Sequence, residues 1–406
     1  LSQVSDKSRA ETALVALAAT LAIQIYTSFA ASATAVLAPE LARDFGVPSR
    51  FVGVFVGVVY AGSAVASLLS GAFIVRHGSI RTSQVCVVLC AIGIASMPIV
   101  AAMPAGAVVA LALAPLLIGA GYGPITPASS QLLARTAPPS RRALTFSIKQ
   151  TGVPAGVAIA GATLPLVALA IGWRITFAAI AVLGVVIAAL AQLPRASLDA
   201  DRAPARRAAG AGYFEPIRRV LATPALAELA WIAFAYAATQ VCLMSFLVVY
   251  LHEALGYSLV AAGLALTVAN TGGIVGRIVW GAMADRLAAP RTLLAIIGLM
   301  AAAGAFATAT FGAAWPFAAV LVVCALFGAT AIGWNGVQLS EVARHSPPGE
   351  AGAITGAAGF IGFGGVVVGP PAFALLTAAS GNYRTGFVAI GATSAAFALR
   401  LLLTRR

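Results

Sequence analysis

Apolar residues run through this chain in long stretches, broken by short polar segments. Twelve such stretches can be read, at 12–37, 51–74, 82–103, 107–134, 143–169, 173–193, 225–250, 258–284, 291–312, 315–342, 351–379 and 383–403. A helix of about 20 apolar residues crosses the hydrocarbon core of a bilayer. The pattern therefore predicts an all-α membrane protein of twelve transmembrane helices. One interruption is long, "PRASLDADRAPARRAAGAGYFEPIRRVLATP" at 194–224, charged and rich in Pro and Gly. It reads as a linker between six-helix bundles at 1–193 and 225–406. The first apolar run is long enough to be a span, so it is not expected to be a cleaved signal peptide.

Composition supports this reading. Only 9% of the 406 residues are charged and 61% are hydrophobic, against about 25% charged in an ordinary soluble domain. The net charge of +13 raises the question of nucleic acid. The arginines, however, fall in short clusters between apolar runs, which is the topology signal of a membrane protein. With the N-terminus inside, nineteen Lys and Arg lie on the cytoplasmic side and four (Arg43, Arg50, Arg174, Arg384) on the outside. Both termini are then expected in the cytoplasm, and a bacterial inner membrane is the expected location. The cysteines, Cys86, Cys90, Cys242 and Cys324, lie in spans and read as small hydrophobes. His77, His252 and His345 lie near loops, with no nucleophile–His pair, metal cluster or phosphate-binding loop. Neither an enzyme nor a cofactor or metal is expected.

The chain also repeats itself at an offset of 210. Tyr26 falls on Tyr236, Gly62 on Gly272, Gly71 on Gly281 and Arg76 on Arg286, and the "RT" at 81–82 on that at 291–292. At an offset of 209, "ARTAPPSRRA" (134–143) falls on "ARHSPPGEAG" (343–352). Parallel six-helix repeats are a known transporter plan.

The loops after the second and eighth spans, "GAFIVRHGSIR" (71–81) and "GAMADRLAAPR" (281–291), give the repeat an identity. Both resemble the signature loop of the major facilitator superfamily, Gly-x-x-x-Asp-Arg/Lys-x-Gly-x-Arg/Lys-Arg/Lys. The second keeps Asp285, whereas the first has Val75 in its place. The resemblance covers essentially the whole chain. It implies two pseudo-symmetric six-helix bundles, a central cavity and rocker-switch alternating access. It also implies that the loop after span 2 meets the start of span 11, and the loop after span 8 the start of span 5. Here the start of span 5 is basic (Arg141, Arg142) and that of span 11 acidic (Glu350). Two gate latches of opposite polarity are thus expected: Asp285 with Arg141 and Arg142, and Arg76 and Arg81 with Glu350. Arg286 belongs to the same loop.

Two basic residues lie inside spans, Lys149 in "SIKQTGVPAG" and Arg277 in "TGGIVGRIVWGAMAD". A Lys or Arg at a helix centre costs about 2.5–3.5 kcal/mol on insertion scales and marks function by default. The repeat duplicates neither, and all twelve acidic residues lie outside the spans or at their ends. The simplest counter-charge is an anionic substrate, since guanidinium suits a carboxylate and ammonium acts as a point charge. The eighth span is similar to the arginine-bearing helix of monocarboxylate transporters and of the oxalate/formate antiporter family, though Gly273 stands where the former carry an acid. In the family fold spans 5 and 8 are neighbours across the seam, which implies that both cations serve one cavity.

Polar and aromatic residues of other spans complete the candidate site: Gln24, Tyr26, Tyr60, Tyr122, Tyr236, Gln240, Asn270 and Asn335, with Trp334 and Gln338 in the same span as the last. The leading reading is a secondary transporter of a small mono- or dicarboxylate, a monomer in the lipid bilayer. Transport is expected as anion exchange, or as symport in which the substrate itself or Lys149 carries the proton. The alternative is a proton-coupled exporter of drugs or other hydrophobic compounds. The "GVPAG" of span 5 partly echoes such antiporters, but a deep carboxylate for a cationic drug is missing from the spans.

Overall fold

The computed structural model describes residues 2–46, 51–101, 106–200, 214–287, 289–312 and 314–403, and every regular element among them is helical. Arg50, Asp201, Arg202, Arg206, Arg207, Arg405 and Arg406 lie outside the described residues. In chain order the first helices are α1 (Ser2–Val36), α2 (Ala38–Phe45), α3 (Phe51–His77), α4 (Ser79–Ala101), α5 (Gly106–Tyr122) and α6 (Ile125–Thr136). There follow α7 (Arg142–Gln150), α8 (Gly152–Ile171), α9 (Trp173–Leu190), α10 (Arg195–Leu198), α11 (Glu215–Ala222) and α12 (Pro224–Val249). The last are α13 (Leu259–Leu287), α14 (Pro290–Ala309), α15 (Phe317–Ala331), α16 (Asn335–His345), α17 (Ala351–Ser380) and α18 (Tyr383–Leu403).

Among the described residues, eleven helical segments are long and apolar enough to cross a membrane. The remaining expected span, 107–134, is present in two pieces, α5 and α6, separated at Gly123 and Pro124. Proline lacks the N–H that an unbroken helix needs. Span 5 breaks for the same reason. The ring of Pro154 crowds the carbonyl four residues back, that of Gln150, and α7 ends at Gln150. Span 10 breaks at 332–334, between α15 and α16. Gly123 and Gly333 coincide in the 210-residue repeat, so the fourth and tenth spans are interrupted at the same place.

Large apolar side chains remain exposed, Leu166 at 68%, Leu169 at 80% and Leu375 at 71% among them. Hydrocarbon, unlike water, accepts them without cost. Helix contacts are close where side chains are small. In the Gly-x-x-x-Gly of α13, a methyl on Gly272 or Gly276 would lie 2.2 Å from the Ala325 carbonyl or 2.1 Å from that of Ala329. From the other side, one on Gly328 would lie 1.9 Å from the Ala269 carbonyl. Without a hydrophobic drive between helices in lipid, such close backbone packing is a main source of association.

The chain divides into two compact units. The first holds Leu1–Pro138, Lys149–Val220 and Ser346–Phe360, and the second Pro139–Ile148, Leu221–His345 and Ile361–Arg406. Relative to bundles at 1–193 and 225–406, two segments are exchanged, the start of span 5 and the start of span 11. Each is held at its first amides by side chains of the unit it joins, as described below.

Gly328→Ala should strain the α13–α15 contact by about 1–3 kcal/mol, the usual effect of overpacking. Gly263 of α13 has nothing within 4 Å of an added methyl, so Gly263→Ala should leave stability unchanged or slightly raised. Thermal unfolding of the detergent-solubilised variants measures the difference.

Candidate functional site

Lys149 sits in the last turn of α7, just before the break that Pro154 imposes. Its side chain is 1% exposed. The ammonium donates to Gln24 Oε1 at 2.6 Å, Gln150 Oε1 at 3.0 Å and Thr126 Oγ1 at 3.5 Å. Gln24 in turn donates to Ser28 Oγ at 3.3 Å. Gln24 belongs to α1, Thr126 to α6 and Gln150 to the end of α7, all within the first unit. Each of these acceptors is neutral and solvates the charge.

Arg277 occupies the middle of α13 and is also 1% exposed. Its Nε donates to the Ile332 carbonyl at 3.0 Å and its Nη2 to Asn335 Oδ1 at 3.1 Å. Both acceptors flank the break between α15 and α16. The two cations are unrelated by the repeat, yet each is bound at the interrupted helix of its own unit: Lys149 at Thr126 in α6, Arg277 at Ile332 and Asn335. Thr126 and Gly336, the neighbour of Asn335, coincide in the repeat.

The other expected residues separate into groups. Tyr26 and Tyr236 are each 2% exposed. Tyr26 donates its hydroxyl to the Ile180 carbonyl at 3.2 Å and lies over Gly184. Tyr236 donates to the Leu294 carbonyl at 3.0 Å and lies over Gly298. Both hydroxyls make interhelical bonds, and the repeat equivalents turn to different neighbours, α9 and α14. Tyr60 and Tyr122 meet edge to face with centroids 6.4 Å apart. Asn270 donates to Leu266 of its own helix at 3.0 Å. Gln240 is half-buried, and its side chain makes no hydrogen bond among the described residues. Gln338 donates to the Leu229 carbonyl at 3.2 Å.

The expected latches take a different form. Asp285 Oδ1 and Oδ2 accept the backbone amides of Ala143 (2.9 Å) and Leu144 (2.8 Å). No ion pair with Arg141 or Arg142 occurs among the described residues. The carboxylate caps the start of α7, where unpaired N–H groups and the positive helix end both favour an anion. Glu350 pairs with Arg219 of α11 at 2.6 Å, not with Arg76 or Arg81. Hydrogen bonds to Glu215, and next to Glu350, raise the Arg219 pKa above its ordinary value. Arg76 and Arg286 are exposed and Arg81 is half-buried.

Sequence reasoning missed two caps. With Val75 lacking a carboxylate, Gln131 holds the start of α17, accepting the Gly352 amide at 2.8 Å and donating to the Gly349 carbonyl at 2.9 Å. Asp199, within the supposed linker, is 3% exposed and accepts the amides of Ile80 (2.8 Å) and Arg81 (3.0 Å) at the start of α4. Gly78, at φ +93°, leaves room for it, since a methyl there would lie 2.3 Å from the Asp199 carboxyl carbon. The polar Gln131 in a largely apolar span was a signal for the first. Nothing local signalled the second, whose partners are more than a hundred residues away.

Asp285→Ala should expose the Ala143 and Leu144 amides at a loss of about 0.5–2 kcal/mol, as for other helix caps. Hydrogen exchange over 140–148 should then quicken by about 2- to 30-fold. Unchanged exchange would contradict the capping role.

Residues 20–370 match the Major Facilitator Superfamily. Over 159 residues the chain is 26% identical to the "Hexuronate transporter" of Bacillus subtilis (strain 168), a match that takes in 39% of this chain and 36% of that transporter. The structure is similar to that of the E. coli fucose:proton symporter FucP, with a TM-score of 0.72 and 17% identity over 97% of this chain and 100% of the other. It is also similar to the human organic anion transporter TETRAN, with a TM-score of 0.72 and 16% identity over 95% of this chain and 97% of the other.

Proposed function

The chain belongs to the major facilitator superfamily, and from that premise we propose that it transports a small organic anion, a mono- or dicarboxylate, by rocker-switch alternating access. Lys149 and Arg277 are the residues that bind the anion. The observation that carries this reading is the burial of both cations, each 1% exposed, inside apolar helical segments. Amide, hydroxyl and carbonyl oxygens are among their acceptors. A charge kept in such surroundings is expensive and serves a pathway or a partner. The partial match to a hexuronate transporter adds support for a carboxylate cargo.

The roles differ with the chemistry of the two groups. The Nε and Nη2 bonds hold the guanidinium of Arg277 in one orientation, suited to a planar carboxylate. Lys149 acts as a point charge. Both termini are cytoplasmic in this reading, from the arginine count. The caps at α7 and α17 then lie at the cytoplasmic ends of their spans and contribute to the gate, Asp285 as an anion and Gln131 as a neutral amide. Such contacts bias the transport cycle toward whichever state contains them.

Uptake into liposomes of a panel of carboxylates, neutral sugars and lipophilic cations, with and without a pH gradient, tests the proposal. Arg277→Ala and Lys149→Ala should each lower carboxylate uptake by about 10- to 100-fold, the worth of a lost charge-assisted contact of about 1.5–3 kcal/mol. Arg277→Lys should retain part of it. Carboxylate uptake at the wild-type rate in both alanine variants would sink the assignment.

A further inference from the structure

The break between α15 and α16 carries a group that neither the packing nor the cation contacts use. Trp334 is 3% exposed, and its indole Nε1 is buried without a hydrogen-bond partner. Trp280, packed against Gly333 next door, donates its own Nε1 to the Ala329 carbonyl at 2.7 Å. An acceptor is thus within reach of one indole at this break and not of the other. A buried donor left unmet is costly, and a phenylalanine would fill much of the same space without that cost.

The surroundings of Trp334 give the unmet donor a direction. Ile332, two residues before it, and Asn335, the residue after it, supply the carbonyl and amide oxygens that hold Arg277. Its ring meets that of Tyr236 edge to face, with centroids 5.7 Å apart. Gln240 stands one turn beyond Tyr236 on α12, on the same helix face, with its half-buried amide unengaged among the described residues. The second unit therefore gathers, around one helix break, a guanidinium, an indole N–H, an unengaged amide that can both donate and accept, and aromatic surface.

We propose that Trp334 and Gln240 read hydroxyl groups of the substrate, and that the transported anion is a polyhydroxylated carboxylate, a sugar acid, rather than a short alkyl or keto acid. This rests on the reading that Arg277 meets the carboxylate. A guanidinium alone would accept either kind of acid. The indole N–H donates to a hydroxyl oxygen, the Gln240 amide donates to or accepts from a second hydroxyl, and the aromatic face covers the C–H side of a sugar ring. Sites built to hydrogen-bond a hydroxyl discriminate strongly against analogues that lack it.

The test uses the full chain in liposomes, with uptake of radiolabelled glucuronate and radiolabelled pyruvate measured side by side. The wild type should favour glucuronate in kcat/KM by about tenfold or more, and Trp334→Phe should raise the glucuronate KM by about 3- to 10-fold, the worth of one neutral hydrogen bond, with pyruvate unchanged. Gln240→Ala should act in the same direction, and glucuronate should alter tryptophan fluorescence in the wild type but less in Trp334→Phe. Equal handling of the two acids by the wild type, uptake of neither, or an equal loss of both in Trp334→Phe would overturn the inference. Failure of the underlying cation reading looks different: Arg277→Ala would then keep both acids, whereas failure of the hydroxyl reading alone leaves Arg277→Ala inactive on both and Trp334→Phe unselective.

Discussion

A carbonyl set free inside hydrocarbon must be met by a donor from the same protein, and in the second unit that donor is Arg277. Where the tenth span breaks after Ala331, the Ile332 oxygen accepts from the guanidinium instead of from an N–H of the next turn of helix. With no water in the bilayer core, irregular backbone persists only where protein groups or a cavity satisfy it. One side chain therefore stabilises the break and is itself solvated by it. The first unit solves the related problem with Lys149, which draws Gln24, Thr126 and Gln150 together beside the interrupted fourth and fifth spans. Helix interruptions and intramembrane charges sustain one another, and the candidate site follows from that dependence.

The same need for donors and acceptors organises the helix starts. Asp285 on α7, Gln131 on α17 and Asp199 on α4 each take first-turn amides from a distant part of the chain. A carboxylate there gains from the helix dipole, while the amide of Gln131 contributes hydrogen bonds without charge. The loss of Asp at position 75 is thereby compensated from another helix. The segments so held, Pro139–Ile148 and Ser346–Phe360, are the ones exchanged between the compact units. Sequence charge alone pointed to guanidinium–carboxylate latches. Backbone amides took the carboxylate of Asp285 instead, because a charged group at a helix start meets several aligned N–H donors, whereas an exposed ion pair gains little over hydration.

The tyrosines illustrate how similar sequence positions acquire different roles. Tyr26 and Tyr236 coincide in the repeat and looked like a matched pair of ligand contacts. Each hydroxyl is instead engaged by a backbone carbonyl of a neighbouring helix, over a glycine that leaves room for it. Trp334 drew less notice in the sequence, because an indole in an apolar span is ordinary. Its interest comes from an acceptor that the surrounding fold does not supply.

The sequence by itself determined the class of fold, the placement of most spans, the repeat and the identity of the two intramembrane cations. Those follow from local quantities, namely hydrophobic length, residue composition and the high cost of charge in lipid. The helix breaks were half legible: Pro124 and Pro154 announce two of them, while Gly333 is one glycine among 41 and nothing in the sequence sets it apart. Only the tertiary structure decided which oxygen each cation holds, that Asp285 caps a helix, that Gln131 stands in for an absent aspartate, and that Asp199 of the linker is built into the first unit. Those outcomes depend on groups tens to hundreds of residues apart coming within 3 Å or so of one another. A hydrogen bond of that kind leaves no periodicity along the chain, and only the packed helices specify it.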